Sequence, residues 1–467
     1  MRIASMASCA VTVVSLLVAS TVSAEPPRDI GSRLELFADD FLIEKLSDGA
    51  TQHLHSPTAR EVALVTDSPW EGNTSAYYTI FQDGDLYRMY YRGSHYDTTT
   101  KKATHREFAC YAESRDGIEW KKPELGLFDF KGSKANNIVL DGIGTHCFTP
   151  FKDSNPECDP QAQYKAVARG RPVGKKGLYI YKSADAIHWS LMVDGPVITT
   201  GAFDSQNLAF WDPHRKLYVA YHRNFVNGVR AIMTCTSEDF VHWTAPVYLE
   251  YGDAPNQHLY TNAVMPYLRA PHIKIGFPTR FLPDQGSRVE PIFMISRDGL
   301  VFKRWNEAVI SEDAPEDRDG NRSNYMARGL LQLPNNDREL SVYATEAYYT
   351  GPDSRIRRFS YRLDGFVSVH GEAGGGRLLT RPLIFQGDKL QLNFTTAEKG
   401  SLRVEVQRVD GTPIDGLALS DCQLLAGDEI AGAVRWRKAT LDGLAGRPVR
   451  LLFELKQADL YSLRFHK

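Results

Sequence analysis

The sequence is poor in cysteine, has no excess of basic residues and contains no long apolar run after its N-terminus. Six cysteines among 467 residues, with no Cys-x-x-Cys pair, exclude a disulfide framework and a zinc site of familiar spacing. A single bridge between Cys147 and Cys158 stays open. The 55 basic and 57 acidic residues give a net charge of −2, which excludes a strongly basic nucleic-acid binder. No membrane span, cofactor or metal is predicted.

The N-terminus has the pattern of a secretory signal. Arg2 supplies a positive charge, residues 10–19 are mostly apolar, and the small residues Ser23 and Ala24 suit cleavage before Glu25. A membrane anchor is the alternative, but the apolar run is short and no stop-transfer pattern follows it. Residues 1–24 are therefore predicted to be a signal peptide, which would make the mature protein secreted or periplasmic.

A short motif recurs along the chain. It has a Ser, an Asp two positions later and an aromatic residue four positions after the Asp. An Asp in a turn accepts hydrogen bonds from nearby backbone N–H groups, and the aromatic ring packs between neighbouring units, so the motif predicts architecture and not catalysis. The copies are centred 54 to 69 residues apart, on Asp116, Asp185, Asp239, Asp298 and, in degenerate form, Asp364.

Each copy follows three runs of β-forming residues and precedes a fourth. In the third unit the runs are residues 207–211, 217–221 and 231–235, and turn-forming residues separate the first two. One four-stranded unit cannot bury both of its faces, so five units predict a ring, the five-bladed β-propeller, over residues 25–369. The three tryptophans expected in equivalent blade positions are Trp120, Trp189 and Trp243.

Residues 370–467 differ in composition. A glycine-rich joint at 371–376 precedes short segments in which apolar and polar residues alternate, as strands with one solvated face do. They predict a β-sandwich, structural in preference to sugar-binding, and an all-β protein. Its strands are predicted at 390–395, 402–407, 434–437, 449–455 and 460–466.

One copy of the motif carries a family resemblance. The segment from Ser237 to Trp243, Ser-Glu-Asp-Phe-Val-His-Trp, resembles the Ser-x-Asp-x-x-His-Trp turn of five-bladed propeller glycoside hydrolases of the invertase-like and arabinanase-like groups. The resemblance covers about residues 35–369 and implies a carbohydrate site in the central funnel. The strand from Phe203 to Trp211 resembles the Arg-Asp-Pro strand of those enzymes without its Arg and Pro. That departure argues against a fructose-type substrate.

Charged residues recur where the second strand of each unit ends. Three of them lie five positions after an aligned tyrosine. Second-strand ends and first-strand starts lie at one rim of a propeller because the two strands are antiparallel. Two explanations stay open: each arginine ties neighbouring blades through backbone carbonyls, or the arginines form a cationic funnel that binds carboxylate or sulfate. The residues are Arg92, Arg169, Arg223, Arg280 and Glu346.

Glycoside cleavage needs two carboxyl groups that flank the bond. The rim supplies Asp204, which the resemblance singles out, together with Glu71 and Glu346. We expect Asp204 and one of the two glutamates to be the catalytic pair. Further polar residues at the starts of first strands are candidates for substrate binding: His146, His258, Arg322 and Asn324.

These features predict a secreted glycoside hydrolase acting on an oligo- or polysaccharide, with sulfate or uronate groups where the arginines bind. A non-catalytic carbohydrate-binding propeller is the first alternative, and a glycoside phosphorylase, which export disfavours, is the second. Two carboxylates within ~5–10 Å of each other across the funnel would favour an enzyme. Convergence of arginines and aromatic rings alone would favour a binding protein.

Overall fold

The computed structural model describes residues 25–172, 174–311 and 324–467, and these form an all-β structure. The predicted five-bladed propeller with an added β-sandwich is confirmed. One turn of 3₁₀ helix, Pro160–Ala162, is the only helical element in the described ranges. No helix among these residues is long and apolar enough to cross a membrane. The predicted signal peptide, residues 1–24, lies outside the described residues.

The first three blades are four-stranded antiparallel sheets in chain order from the channel outward. Blade one also carries a small hairpin, Tyr96–Asp97 with Lys102–Ala103. The strands are Ala76–Asp83, Leu86–Gly93, Phe108–Ser114 and Ile138–Asp141 in blade one; Phe148–Lys152, Tyr164–Gly170, Gly177–Ser183 and Ser190–Leu191 in blade two; Leu208–Asp212, Leu217–Val226, Val229–Ser237 and Val247–Tyr248 in blade three.

Blade four departs from this pattern in its second strand. Pro278 has no N–H to give to the ladder, and the strand is interrupted there. The interruption explains why Arg280 does not keep the five-residue spacing from an aligned tyrosine that Arg92, Arg169 and Arg223 have. The strands are Met265–Tyr267, Ala270–Gly276 continued by Thr279–Leu282, Arg288–Ser296 and Lys303–Ala308, with His258–Leu259 paired to Thr279–Leu282.

Blade five closes the ring with a strand from the start of the chain. Thr58–Val65 pairs antiparallel with Arg355–Arg362, which pairs with Glu339–Glu346. The inner edge of this blade is made by bridges of Met326 and Leu331 to the Glu339–Glu346 strand. A propeller assembled from one chain has two free blade edges until its ends meet, and pairing the first strand with the last blade removes both.

The C-terminal sandwich is one large sheet with two long, bent strands. Lys389–Gln407 and Arg450–His466 pair along their lengths, with an irregularity between Thr396 and Ser401. The bend folds the sheet over a shared apolar core that includes Leu392, Val404 and Phe453. Each bent strand joins two segments predicted separately. The prediction of a strand at 434–437 was wrong: the strand is Asp428–Ala433, and Trp436 makes only an isolated bridge.

Residues before the first propeller strand pair with C-terminal strands. The strands between residues 34 and 54 join this large sheet, whereas Arg28–Gly31 forms a separate two-stranded sheet with Leu383–Phe385. Side chains of these residues pack on the core of the large sheet, as Phe37 does against Phe453 at 5.9 Å between ring centroids. The segment 28–54 therefore lies with the C-terminal strands, although its sequence position is at the start of the predicted propeller domain. The pairs are Arg28–Gly31 with Leu383–Phe385, Leu34–Leu36 with Arg450–His466, Ile43–Ser47 with Gly376–Thr380, and Thr51–Leu54 with Val367–Gly371.

The recurring motif forms the same turn in four blades. In blade two, Ser183 Oγ accepts the N–H of Ala186 at 2.9 Å, and Asp185 Oδ1 accepts the N–H of His188 at 2.8 Å. The indole N–H of Trp189 then donates to the Ala186 carbonyl at 3.1 Å. The same indole bond recurs at Trp120 and Trp243, so the three tryptophans are equivalent, as predicted.

The residue after the motif's Asp has a positive φ and joins neighbouring blades. Its φ is 69° at Ala186 and 78° at Gly299. The carbonyl of this residue accepts a tyrosine hydroxyl from the preceding blade: Tyr90 donates to Ala186 at 2.7 Å, and Tyr221 donates to Gly299 at 2.8 Å. Tyr343 of blade five donates in the same way to blade one. Three of the five blade interfaces are thus tied by one kind of hydrogen bond.

The five cysteines among the described residues are free. Cys147, which could have paired with Cys158, is buried beside Thr149 and accepts the backbone N–H of Asn207. Burial raises the pKa of the Cys147 thiol. It behaves as a small buried apolar residue.

The tyrosine ties predict a stability difference between two buried tyrosines. Tyr90→Phe removes the bond to Ala186 and should lower the free energy of unfolding by about 1 kcal/mol. Tyr361 is also buried, but its hydroxyl has no hydrogen-bond partner among the described residues. Tyr361→Phe should leave stability unchanged or raise it. Denaturant unfolding of both variants measures the difference, and equal losses would contradict the role given to the tie.

Candidate functional site

Charged side chains of three blades meet at one end of the central channel, here called the funnel. His146, just before the first strand of blade two, donates or accepts at both ring nitrogens. Its Nε2 lies 3.1 Å from Asp204 Oδ1, and its Nδ1 lies 2.9 Å from Glu107 Oε1. Arg92 Nη1 lies 3.3 Å from His146 Nδ1, and Arg169 Nη2 lies 3.8 Å from Asp204 Oδ2. The antiparallel strands thus deliver these side chains to one rim.

Asp204 is the open carboxylate of the funnel. Its side chain is 45% exposed. The hydrogen bond from His146 holds the pKa of Asp204 far below its usual range; burial opposes this, and the charges of His146, Arg169 and Arg223 add to the lowering. Asp204 is therefore ionised throughout the physiological range and can act as a nucleophile or a base, not as a proton donor.

Glu107 is the second carboxylate of the funnel, and the sequence prediction missed it. Its side chain is 34% exposed. Burial acts to raise the pKa of Glu107, but the hydrogen bond with His146 and the charge of Arg92 outweigh it, so the net pKa is lowered. Glu107 directly precedes the third strand of blade one, Phe108–Ser114. A third strand starts at the rim where a second strand ends, so a search extended to third-strand starts would have found it.

One imidazole ring lies between the two carboxylates. A neutral histidine has one N–H and can donate to only one of them, whereas an imidazolium donates to both. A hydrogen bond at each end of the ring places the carboxylate oxygens within the ~5–10 Å that glycosidase mechanisms use. The predicted rim position of His146 thus links the predicted Asp204 to the missed Glu107.

The structure closes the other two predicted carboxylates inside ion pairs. Glu71 is fully buried, with the Tyr91 hydroxyl at 2.5 Å and Lys122 Nζ at 2.6 Å. Glu346 is also fully buried and bonds Arg355 at 2.9 Å and Arg357 at 2.8 Å. Neither side chain faces the funnel solvent, and each is compensated by a cation at hydrogen-bond distance. The geometry does not favour either glutamate as the partner of Asp204.

The predicted arginines divide between the two explanations. Arg92 donates to the Thr74 carbonyl at 2.7 Å and to the Tyr348 hydroxyl at 2.9 Å, which ties parts of the ring together. The guanidinium of Arg169 makes its ion pair with Asp204 and no hydrogen bond to any described residue. Arg223 Nε donates to the Ala202 carbonyl at 3.1 Å, while its buried Nη1 lacks a partner among the residues the structure describes. Arg169 and Arg223 thus have donors available for a ligand.

Three of the remaining predicted residues, Arg280, His258 and Asn324, have hydrogen-bond partners within the fold. Arg280 bonds Glu290 and the Asn306 carbonyl inside blade four, so its charge is compensated there. His258 accepts the backbone N–H of Arg230 at 3.1 Å. Asn324 is fully buried and donates to the Ser311 carbonyl at 2.7 Å. Arg322 lies outside the described residues.

Four tyrosines line the rest of the funnel, and sequence analysis named none of them. Tyr325 contacts Tyr260 at 5.5 Å, Tyr348 at 5.6 Å and Tyr77 at 6.4 Å between ring centroids. The guanidinium of Arg223 lies 4.9 Å above the Tyr260 ring. Tyr77 has a φ of 61°, a strained value for a residue with a side chain, and such strain often marks a binding site. The four rings form a wall on which a sugar face can stack.

The one group of metal-ligating side chains found among the described residues is not in the funnel. His53, His370 and Asp459 offer ligand atoms within 4.8 Å of one another on adjacent strands of the C-terminal sheet. His53 and His370 are edge-on at 5.9 Å between ring centroids. The funnel itself holds carboxylates, an imidazole, guanidinium groups and tyrosine rings.

Comparison with solved structures finds propellers of similar fold. The β-1,2-mannobiose phosphorylase of Listeria innocua is 12% identical with a TM-score of 0.48, over 66% of this chain and 96% of that chain. A thermostable family-43 glycoside hydrolase is 14% identical with a TM-score of 0.44, over 68% and 96%. An endo-arabinase of Bacteroides thetaiotaomicron is 12% identical with a TM-score of 0.41, over 66% and 99%. Likeness at this level concerns the fold alone. No family model matches the chain, and no curated protein matches its sequence.

The contrast between the buried, ion-paired Glu71 and the exposed Asp204 predicts effects on stability of very different size. Glu71→Gln removes the negative charge that compensates Lys122, and it should lower the free energy of unfolding by about 3 kcal/mol. Asp204→Asn changes a half-exposed group and should leave the melting temperature nearly unchanged. Thermal and denaturant unfolding of the two purified variants give the comparison. A Glu71→Gln variant that is as stable as the wild type would contradict the structural role given to Glu71.

Proposed function

We propose that the protein is a glycoside hydrolase that cleaves an oligo- or polysaccharide bearing carboxylate or sulfate groups. The observation that carries the proposal is the placement of Asp204 and Glu107 at opposite ends of His146 in the funnel. Two carboxylates at that separation are what glycosidic cleavage requires. Export, predicted from residues 1–24, belongs to the proposal, because such a substrate is met outside the cell.

Asp204 is the carboxylate that stays charged during the reaction. Its lowered pKa and its exposure suit attack on the anomeric carbon or removal of a proton from water. His146 positions Asp204 through the bond to Oδ1 and stabilises its charge. Asp204 therefore carries the nucleophile or base role in the proposal.

Glu107 is the proton donor in the proposal, and it becomes protonated when the substrate binds. In the free protein the charge of Arg92, 3.5 Å away, and the hydrogen bond with His146 keep Glu107 ionised, while burial acts in the opposite direction. An anionic substrate would neutralise the arginine charges and exclude water. Both changes raise the pKa of Glu107. The acid is thus formed in the complex, which links catalysis to the charge of the substrate.

Arg169 and Arg223 bind the substrate anion. Guanidinium groups bind carboxylate and sulfate through two parallel N–H donors, and both arginines have donors to offer. Their charges and that of Arg92 exceed those of Asp204 and Glu107, so the funnel holds a positive excess in the free protein. The tyrosine wall supplies the apolar contact to the sugar ring.

A non-catalytic carbohydrate-binding propeller is the second candidate. It is favoured by the ion pairs that close Glu71 and Glu346 and by the contact of Asp204 with Arg169. Under this alternative the same glycans bind the funnel but are recovered intact. Product analysis after long incubation separates the two candidates, and release of a sugar phosphate in phosphate buffer would indicate phosphorolysis.

The proposed roles predict large losses of turnover in two variants. Asp204→Asn and Glu107→Gln should each reduce turnover by about 10²–10⁴-fold, because each removes a group that acts on the reacting atoms. Glu119→Gln, on the exposed part of the blade-one turn, is the matched control and should retain full activity. Release of reducing ends from sulfated and uronate-containing glycans is the measurement. Full activity in the Asp204 variant would remove this residue from the mechanism.

The funnel arginines predict that binding depends on salt and on ligand charge. Affinity for an anionic glycan should fall as salt rises, whereas a neutral analogue should bind poorly at every salt concentration. Arg223→Met should weaken the anionic ligand far more than the neutral one. Arg106→Met, at an exposed ion pair with Asp141, is the control. Titration calorimetry measures both affinities. Equal losses of affinity for the two ligands would show that Arg223 only holds the ring together.

A further inference from the structure

The channel has a second opening at the end opposite the funnel. A cavity of about 430 Å³ lies there, here called the distal cavity. The far ends of the first strands of blades one to three line it, together with the first turn of blade four and the inner edge of blade five. Its wall includes the rings of Phe81, Phe151 and Trp211. Leu268 at its mouth is 42% exposed, so the cavity is open to solvent. The volume is in the range of small-molecule sites.

Arg328 brings an uncompensated charge to the distal cavity. It is 8% exposed and lines the cavity. Its side chain has no hydrogen bond, ion pair or ring contact with any described residue, and its Nε is buried without a partner. Burial alone lowers the pKa of Arg328 to about 10, so the guanidinium is still charged at neutral pH. Of the eight buried arginines in the described ranges, the other seven have at least one polar partner: Arg92, Arg169, Arg223, Arg280, Arg304, Arg357 and Arg358.

The backbone holds Arg328 firmly in this position. Its N–H donates to the Tyr78 carbonyl at 3.0 Å, and its carbonyl accepts the Ile80 N–H at 2.8 Å. The next residue, Gly329, is so close to blade one that a Cβ would lie 2.5 Å from the Ile80 carbonyl oxygen. The backbone of Arg328 is thus held between blades five and one, which places its side chain at the cavity.

The cavity wall does not supply the missing negative charge. No acidic residue is found among its lining residues in the described part of the chain, and the only other cation, Lys152, is paired with Asp83 at 2.7 Å. A buried charge without a partner destabilises a fold strongly unless something compensates it. Since no described residue compensates Arg328, the cavity is suited to an anionic ligand that would supply the missing charge.

We propose that the distal cavity is a second binding site, separate from the funnel, for a small organic acid the size of a monosaccharide acid. Its carboxylate pairs with the guanidinium of Arg328, and its body packs against the rings of Phe81, Phe151 and Trp211. Gln82, Ser154 and Gln332 supply polar groups for hydroxyls at the cavity wall. The site does not require that the funnel be catalytic.

Glucuronate, with glucose as the neutral control, tests the proposal by titration calorimetry. To weaken binding in the funnel as far as possible, the titrations use a protein that carries both Arg169→Met and Arg223→Met. Glucuronate should bind this protein, glucose should not, and adding Arg328→Met should weaken glucuronate binding at least tenfold. Arg328→Lys, which keeps the charge but loses the two-donor fork, should weaken binding less. Unchanged glucuronate binding in the Arg328→Met protein would overturn the proposal, and so would equal binding of inorganic sulfate.

Thermal unfolding gives an independent measurement without ligand. Arg328→Met removes an uncompensated buried charge and should raise the melting temperature of the free protein. In the background that carries Arg169→Met and Arg223→Met, glucuronate should raise the melting temperature only when Arg328 is present. Arg304→Met is the matched control: Arg304 is equally buried but bonds the Pro255 carbonyl, so its loss should lower the melting temperature. A lower melting temperature in Arg328→Met would show that the guanidinium already has its partner within the fold.

Discussion

The propeller depends on one backbone carbonyl, which belongs to the positive-φ residue of the Ser-x-Asp turn. Within a blade this carbonyl accepts the indole N–H of the motif's tryptophan, and across the interface it accepts a tyrosine hydroxyl, as Ala186 accepts both Trp189 and Tyr90. At three of the five interfaces this hydrogen bond helps to fix how far one blade is rotated against the next. Because the rotation is fixed, the starts of the first strands converge on one rim and their far ends converge on the other.

The charged side chains at the two rims differ in whether they have partners of opposite charge. At the funnel, Asp204 and Glu107 face His146 and arginines of neighbouring blades, so opposite charges lie close together yet remain accessible to a ligand. At the distal rim, Arg328 lines a cavity whose wall includes aromatic rings, and no carboxylate is among the described residues that line it. The same ring geometry therefore produces one end where charges of both signs meet and one end that holds a single positive charge.

Ion pairing within the fold also decides which carboxylates are accessible to a ligand. Glu71 and Glu346 were reasonable candidates by position, but both are fully buried with cations at hydrogen-bond distance. A carboxylate in that setting stabilises the blade and cannot reach a substrate. Asp204 has cationic neighbours as well, yet its side chain stays half exposed. Exposure of the side chain is what distinguishes Asp204 from the two buried glutamates.

The sequence by itself determined the blades, since each is built from contacts that repeat locally: the bonds of Ser183 and Asp185 span three residues, and β-hairpins join successive strands. It also indicated the rim position of Asp204. Only the tertiary structure decided what that residue meets. Glu107 is 39 residues from His146, which is 58 residues from Asp204, and the strand that closes blade five comes from the other end of the propeller. Local patterns determine strands and turns because their partners are near in sequence, whereas charge pairing and ring closure depend on distances that exist only after the blades have packed.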